Sequence, residues 1–324
     1  MDEHEIRRTP IFTAHARASS SRRPSADAAT ETRFERVRRG IYVAQVDWPT
    51  TEREARHFVR MQALAESMRH DPVFSHQSAA VLWGIPVIGH FTSVHVTAAG
   101  RVGVRSQRGI TWHNDRISDD DVTTADGYQV TSYARTLFDL ARASDFAAAV
   151  AALDFGLRSV TATPLGTAQR GVTKEEMRER AAASAGRRGV RSARSAIDLA
   201  DARSGSPGES VSRANMHLMR FPAPALQVAF RREDGAHDIV DFDWPAHGAF
   251  GEFDGDVKYL RPQYMNERSL ERVLLDEKER ERRVRRHRPN AIRWGWDVAI
   301  RPTRLARRLI HHGLHPLRTF TAEC

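Results

Sequence analysis

A break at residues 204–208 constrains the fold most, because it separates two stretches of chain with different patterns of apolar residues. The segment reads Ser-Gly-Ser-Pro-Gly, and these residues commonly end helices and strands. After the break, the spacing of apolar residues predicts an α/β domain over residues 209–312. Its predicted elements are a helix at 209–219, strands at 227–231, 238–243 and 248–254, a charged helix at 266–287, a strand at 291–296 and a helix at 302–312.

The part of the chain before the break predicts a separate α+β domain over residues 33–158. The predicted elements are a hairpin around Gly40, helices at 52–68 and 75–82, strands at 94–97 and 109–113, and helices between 132 and 157. Residues 1–32 are rich in Ser, Ala, Arg and Thr and predict a poorly structured arm. Residues 159–208 predict an Arg-rich helical connector with a capping box at Thr173, and residues 313–324 form a tail. A length of 324 residues suits two domains.

Acidic residues end two neighbouring predicted strands of the second domain. Asp241 ends one strand, and Glu252 with Asp254 ends the next, so a hairpin brings the three carboxylates together. Carboxylate oxygens suit Mg²⁺, which can polarise a phosphodiester and lower the pKa of an attacking water. Lys258 can steady charge or orient that water, and Glu209 in the preceding helix can complete the group. The alternative is a set of solvated turn residues, because Asp and Gly are common at hairpin ends.

Four segments in this region carry a resemblance to a known family. They are PGESVSR at 207–213, VDFDWP at 240–245, GEFDGDVKY at 251–259 and EKER at 277–280. They resemble the Vsr-related endonuclease-like family of unknown function, within the PD-(D/E)XK superfamily. The resemblance implies a restriction-endonuclease-like α/β fold with a central mixed sheet. It also implies Asp241 and Glu252 as ligands of Mg²⁺ or Mn²⁺, with Glu209 in a supporting acidic role. Asp254 stands where the superfamily has lysine, which makes Lys258 the hypothetical catalytic lysine.

The first domain carries a second resemblance. The segments FSHQSAAVLWGIP at 74–86, VHVT at 94–97 and VTSYARTLFDLA at 130–141 are similar to the AbiEi family of type IV antitoxins. RRGIYV at 38–43 resembles the wing of that family's winged helix. The resemblance implies an antitoxin or transcriptional autorepressor that binds DNA, with a nucleotidyltransferase-like toxin as its cognate partner. Residues 10–32 lack the helical pattern that the family has there, so only a remnant winged helix is expected.

The charge of the chain favours a polyanionic partner. The net charge is +9, and 47 of the 50 cationic residues are arginine because only three are lysine. Clustered cations release counterions from nucleic acid and so favour its binding. The predicted DNA contacts are Arg36, Arg38 and Arg39 in the wing and Arg282, Arg283, Arg285 and Arg286 at the end of the long helix. A solvated, salt-bridged face is the alternative for that helix.

Other candidate residues favour structural roles. His76, His95 and His113 lie among core-type residues with no carboxylate at ligand spacing, so we predict structural histidines. Arg135 and Asp139 have the i,i+4 spacing of an intradomain ion pair. Cys324 stands alone, which excludes an intrachain disulfide and fits a cytoplasmic location. The charged N-terminus and the lack of a long apolar run predict neither a signal peptide nor a membrane span.

Three functions remain open from the sequence. The first is a cytoplasmic, DNA-associated regulator or defence protein that joins an antitoxin-like domain to an endonuclease-like domain. The second is a Mg²⁺-dependent endonuclease that hydrolyses phosphodiesters, with a first domain that positions the substrate. The third is a protein-binding antitoxin whose nuclease fold is inactive. The sequence leaves the oligomeric state open.

Overall fold

The computed structural model describes residues 11–13, 34–44, 53–98, 104–106, 109–164, 166, 168–255 and 270–317. Both helices and mixed sheets are present, as the predicted α/β and α+β classes require. The chain divides into two compact units, residues 1–143 with 159–188 and residues 144–158 with 189–324. Within the described residues, no helix is both long and apolar enough to cross a membrane.

The first unit contains a three-stranded and a five-stranded sheet. The elements up to residue 143 are β1 (Ile11–Thr13), β2 (Phe34–Arg38), β3 (Ile41–Ala44), α1 (Arg53–Ser67), β4 (Val73–Phe74), α2 (His76–Trp83), β5 (Val94–Thr97), β6 (Ile110–His113), β7 (Val122–Ala125), β8 (Tyr128–Thr131) and α3 (Tyr133–Ala143). The strand orders are β1-β3-β2 and β6-β5-β4-β8-β7. The predicted hairpin around Gly40 is confirmed, since β2 and β3 pair antiparallel. The prediction of an unstructured arm is wrong at β1, which pairs with β3, and the rest of the arm lies outside the described residues.

Sequence patterns missed the shortest strands of this unit. The two residues of β4 are too few to show a period. The hairpin of β7 and β8 turns at Asp126 and Gly127, which both have positive φ, 52° and 84°. An Asp-Gly pair between short apolar runs is a strong hairpin signal, so this one was available in the sequence.

The boundary between the two units differs from the predicted one at residue 158. Helix α4 (Phe146–Gly156) belongs to the second unit, although its sequence continues the helical pattern of α3. The hairpin β9 (Val160–Ala162) and β10 (Ala168–Arg170) and the helix α5 (Lys174–Ala183) belong to the first unit. The predicted capping box is confirmed: Thr173 Oγ1 accepts from Glu176 N, and Glu176 Oε2 accepts from Thr173 N. A helical period shows that a helix forms but not which core it packs against.

Over residues 207–311 the second unit has the predicted order of helices and strands, except that a short helix after the last strand was not predicted. Its further elements are α6 (Val190–Leu199), α7 (Pro207–Leu218), β11 (Ala225–Arg231), β12 (His237–Trp244), β13 (Ala249–Phe253), α8 (Leu270–Arg285), β14 (Asn290–Trp294), α9 (Trp296–Ala299) and α10 (Pro302–His311). The sheet order is β11-β12-β13-β14, with the first two pairs antiparallel and β13 parallel to β14. A parallel pair needs a crossover, and here α8 lies within it. The first residues of the predicted tail belong to the folded unit, because Leu314 is buried in its core. Residues 318–324, including Cys324, lie outside the described residues.

Close packing between α7 and β13 depends on Gly208. A Cβ atom at this position would lie 2.1 Å from ring atoms of Phe253, which is buried. We expect Gly208→Ala to lower the free energy of unfolding by about 1–3 kcal/mol, because helix and strand must move apart. Urea unfolding followed by circular dichroism measures this change. Gly255→Ala is the matched control, since its Cβ would meet the same ring at an ordinary 3.6 Å; equal stabilities of the two variants would contradict the prediction.

Candidate functional site

Glu209 and Asp241 are joined through a glutamine that no sequence pattern indicated. Glu209 lies in the first turn of α7, where Ser206 Oγ accepts a hydrogen bond from its backbone N–H. Its Oε2 accepts hydrogen bonds from Gly205 N, at 2.7 Å, and from Gln227 Nε2, at 2.9 Å. The same Gln227 Nε2 donates to Asp241 Oδ1 at 3.2 Å. The amide therefore separates the two carboxylates that would otherwise repel each other.

The side chain of Asp241 also accepts a hydrogen bond from the backbone of the neighbouring strand. Its Oδ2 accepts a hydrogen bond of 2.8 Å from the backbone N–H of Phe253, at the end of β13. Gln227 has φ of 51°, an unfavourable backbone conformation for a residue other than glycine. Such strain persists where surrounding contacts hold the residue in that conformation, and the hydrogen bonds of Gln227 to Glu209 and Asp241 provide such contacts. Both carboxylate oxygens of Asp241 are thus engaged by protein donors.

Glu252 lies in a separate network with two arginines. Its buried carboxylate accepts a hydrogen bond from Arg280 of α8 at Oε1 and forms an ion pair of 2.8 Å with Arg293 of β14 at Oε2. Glu277 Oε1 joins both guanidinium groups, at 3.0 Å from Arg280 Nη2 and 2.8 Å from Arg293 Nη2. Burial would raise the pKa of Glu277, but the hydrogen bonds from Arg280 and Arg293 outweigh it and lower this pKa to about 2. Asp254 lies at the rim of this network, 3.5 Å from Arg293.

The acidic edge therefore consists of two groups of residues and not of one metal-binding cluster. All four carboxylate oxygens of Asp241 and Glu252 accept hydrogen bonds or ion pairs from protein groups. A Mg²⁺ or Mn²⁺ ion bound by both would have to displace the arginines of Glu252 and the donors of Asp241, so this donor set does not fit such an ion. Among the described residues, no three acidic side chains each have a carboxylate oxygen within 4.8 Å of the other two. Lys258 lies outside the described residues.

The arginines around Glu252 were not identified from the sequence as part of this site. Arg293 is the cross-strand neighbour of Glu252 in the parallel pairing of β13 with β14. That pairing joins strands separated by α8, so no local spacing reports it. Arg280 and Glu277 do carry a local signal, the i,i+3 spacing of an ion pair on a helix, within the EKER segment.

The predicted DNA-contacting arginines differ in their exposure and in whether they form ion pairs. In the hairpin of β2 and β3, Arg36 and Arg39 are exposed, whereas burial lowers the pKa of the half-buried Arg38. At the end of α8, the arginines are partly engaged, as follows: Arg283 with Asp238 at 2.7 Å, Arg285 with Glu281 at 2.8 Å and Arg286 with Glu233 at 3.7 Å. Arg282 is exposed. The salt-bridged alternative for α8 is therefore confirmed in part.

Three histidines of the first unit form a compact cluster. His95 Nδ1 and His113 Nε2 are 2.9 Å apart, and the rings of His76 and His113 stack with centroids separated by 3.5 Å. One nitrogen of each ring lies within 4.8 Å of the others. Burial is the largest cause that lowers the pKa of His95 and of His113 to about 4 and that of His76 well below its usual value, so the rings are neutral at pH 7. The sequence predicted three separate structural histidines, because their spacing spans strands that meet only in the folded sheet.

The predicted ion pair between Arg135 and Asp139 is confirmed. Arg135 Nε lies 2.9 Å from Asp139 Oδ2, and its Nη1 lies 2.9 Å from Asp121 Oδ2. Arg180 of α5 also contacts Asp121, at 2.7 Å. These pairs connect α3 with α5 inside the first unit.

The comparisons with known proteins give relatives but no activity. No protein-family model matches this chain. The chain is 27% identical over 285 residues to the uncharacterized protein MT2308 of Mycobacterium tuberculosis strain CDC 1551 / Oshkosh, with 86% of this chain and 91% of that protein covered. The same values hold for the uncharacterized protein Rv2248 of strain ATCC 25618 / H37Rv. The similarity covers 91% of the length of each relative.

Proposed function

We propose that this protein is a DNA-binding regulator of the type IV antitoxin class, whose endonuclease-like unit holds nucleic acid without cleaving it. The observation that carries the proposal is the engagement of all four oxygens of Asp241 and Glu252 by protein donors. A hard cation bound by both carboxylates would have to displace donors from these oxygens and lie next to the two guanidinium groups that contact Glu252. Arg280 and Arg293 instead supply the positive charge from within the protein.

The order of elements in the second unit supports the endonuclease-like half of the proposal. One helix, three antiparallel strands, a crossover helix and a parallel fourth strand carry the acidic residues at the β12–β13 pair. A central mixed sheet is what the resemblance implies, and this sheet is mixed. A fold can persist after its catalytic site has changed, so an endonuclease-like fold does not by itself imply hydrolysis.

The distribution of arginine supports the DNA-binding half. Arg36 and Arg39 extend from the hairpin that resembles a wing, and Arg282 and Arg286 are exposed at the end of α8. Arginine side chains bind phosphate through paired N–H donors and keep their charge at all relevant pH values. Contacts of this kind bind the DNA backbone and position the protein without reading base sequence.

DNA binding should depend on salt and on the wing arginines. We expect the full chain to bind a labelled duplex from upstream of its own gene. Arg36→Gln combined with Arg39→Gln should weaken binding and reduce the slope of log K against log salt by about 0.9 for each phosphate that is no longer neutralised. Fluorescence anisotropy over a salt series measures both. The matched control is Arg178→Gln with Arg203→Gln, which removes the same charge from exposed arginines that pair with Glu175 and Asp201. Equal effects of the two double variants would reject the wing assignment.

Cleavage assays separate this proposal from its rivals. The full chain is incubated with plasmid, single-stranded DNA and RNA in Mg²⁺, Mn²⁺ or EDTA, and no metal-dependent cleavage is expected. Cleavage that is lost in Asp241→Asn or Glu252→Gln would overturn the proposal and favour a metal-dependent endonuclease. Failure to bind any nucleic acid would instead favour a protein-binding antitoxin.

A further inference from the structure

The histidine cluster brings together imidazoles from three different elements of the first unit. His95 lies on β5, His113 ends β6, and His76 is the first residue of α2. The parallel pairing of β5 with β6 places His95 opposite Thr111 and His113 opposite Thr97, so both histidines lie on one face of the sheet. No carboxylate forms an ion pair with any of the three within the described residues. Each buried ring nitrogen needs a hydrogen-bond partner, and His95 Nδ1 and His113 Nε2 have each other.

We propose that His76, His95 and His113 bind a single divalent transition-metal ion of the Zn²⁺ type. Neutral imidazole nitrogen is the preferred ligand of Zn²⁺, Ni²⁺ and Cu²⁺, and three protein ligands with one open position are typical of zinc sites that also bind water. The ligand nitrogens already lie within 4.8 Å of one another. Ligands of one tetrahedral ion at about 2.0–2.1 Å lie closer together than this limit, so the three nitrogens have to approach one another to bind it.

The hydrogen bonds around the cluster select which nitrogens would face the metal. His76 Nδ1 lies 3.2 Å from Ser75 Oγ, which leaves its Nε2 available. His95 Nε2 lies 3.5 Å from Ser93 Oγ, and that hydroxyl is 2.6 Å from Thr111 Oγ1. His95 Nδ1 and His113 Nε2 face each other at 2.9 Å in a hydrogen bond that the metal ion would replace. Metal-binding histidines commonly have the second ring nitrogen hydrogen-bonded, which fixes the tautomer and the ring orientation.

The backbone at His76 is consistent with such a role. His76 has φ of 51°, a conformation that is uncommon for residues other than glycine and that concentrates at ligand-binding sites. Its ring is nearly parallel to that of His113, with an angle of 13° between the planes. A metal lies close to the plane of each ring it binds, so His76 must turn its ring when the ion enters. Ion binding would thus exchange a stacked contact for a coordinate bond.

A metal titration of the full chain without an affinity tag tests the proposal. We expect Zn²⁺, measured by competition with a chromophoric chelator, to bind as a single tight ion per chain. Loss of a residue that merely orients a metal ligand typically weakens binding about 10–100-fold, so His95→Ala and His113→Gln should each cost at least that much. Co²⁺ should give the visible absorption of a tetrahedral site in the wild type but not in His95→Ala or His113→Gln. The matched control is His311→Ala with His312→Ala, which removes two neighbouring histidines of the second unit and should leave the ion bound.

The outcomes distinguish the site from adventitious binding and from misfolding. Circular dichroism and the melting temperature without metal establish that each variant is folded. His113→Gln replaces a partly exposed residue, so it provides a folded test even if His95→Ala unfolds. Undiminished affinity in folded His113→Gln, loss of binding only in the His311/His312 variant, or no tight Zn²⁺ binding by the wild type would each overturn the proposal. None of these outcomes depends on DNA binding, so this site and the proposed function stand or fall separately.

Discussion

Replacing Arg213 with alanine is expected to lower the free energy of unfolding of the second unit by about 3–5 kcal/mol, because it leaves a buried carboxylate without its partner. Arg213 Nη2 lies 2.7 Å from both carboxylate oxygens of Asp154, with only 8% and 1% of the two side chains exposed. Arg213 Nη1 also donates to the carbonyl oxygen of Leu199 at 2.6 Å. Burial raises the pKa of Asp154 even with this arginine beside it.

The ion pair joins α4 to α7 and so holds the helix that the sequence assigned to the first domain. Urea unfolding, followed by circular dichroism and by tryptophan fluorescence, measures the loss of stability. The control is Arg203→Ala, whose exposed ion pair with Asp201 should contribute at most about 1 kcal/mol. Adding Asp154→Asn to Arg213→Ala should restore part of the loss, because it removes the buried charge. A cost for Arg213→Ala as small as that of Arg203→Ala would contradict this account.

Acidification is expected to destabilise the first unit by about 3–5 kcal/mol through His57 alone as the pH falls from 6.5 to 3. Burial, with smaller contributions from the charges of His95 and Arg60, lowers the pKa of His57 to about 3. Its ring stacks on Phe91, with centroids 4.2 Å apart, and its Nε2 lies 2.9 Å from Ser78 Oγ. The unfolded chain takes up a proton below pH 6.5 and the folded chain does not. The stabilisation is therefore complete above pH 6.5 and is lost as the pH falls towards 3.

The comparison of wild type with His57→Gln isolates this effect from the other histidines. The variant can keep a hydrogen bond to Ser78 but has no group that titrates in this range. We expect its stability to fall less steeply between pH 6.5 and 4, by up to one proton in the linkage slope. Unfolding in urea at a series of pH values gives the slopes. The exposed His70 provides the control, since His70→Gln should follow the wild-type curve; identical curves for His57→Gln and wild type would refute the role of His57.

What the sequence could reveal about the site follows from how far each contact reaches along the chain. Asp241 and Glu252 lie on consecutive strands, so the pairing of those strands was predictable, and so was the ion pair of Arg135 with Asp139 within one helix. The contacts of Arg293 with Glu252 and of Gln227 with Glu209 join elements that are distant in the chain. No periodicity encodes such contacts.

The sequence by itself determined the order of helices and strands in the second unit, the hairpin around Gly40 and the capping box at Thr173. Each of these depends on apolar spacing or on turn and cap residues within a few positions, and that chemistry is local. Only the tertiary structure decided that Arg280 and Arg293 neutralise the acidic edge, that α4 packs with α7, and that His76, His95 and His113 meet. Those outcomes depend on which strands pair in parallel and on which core buries each helix, and both are properties of the whole folded chain.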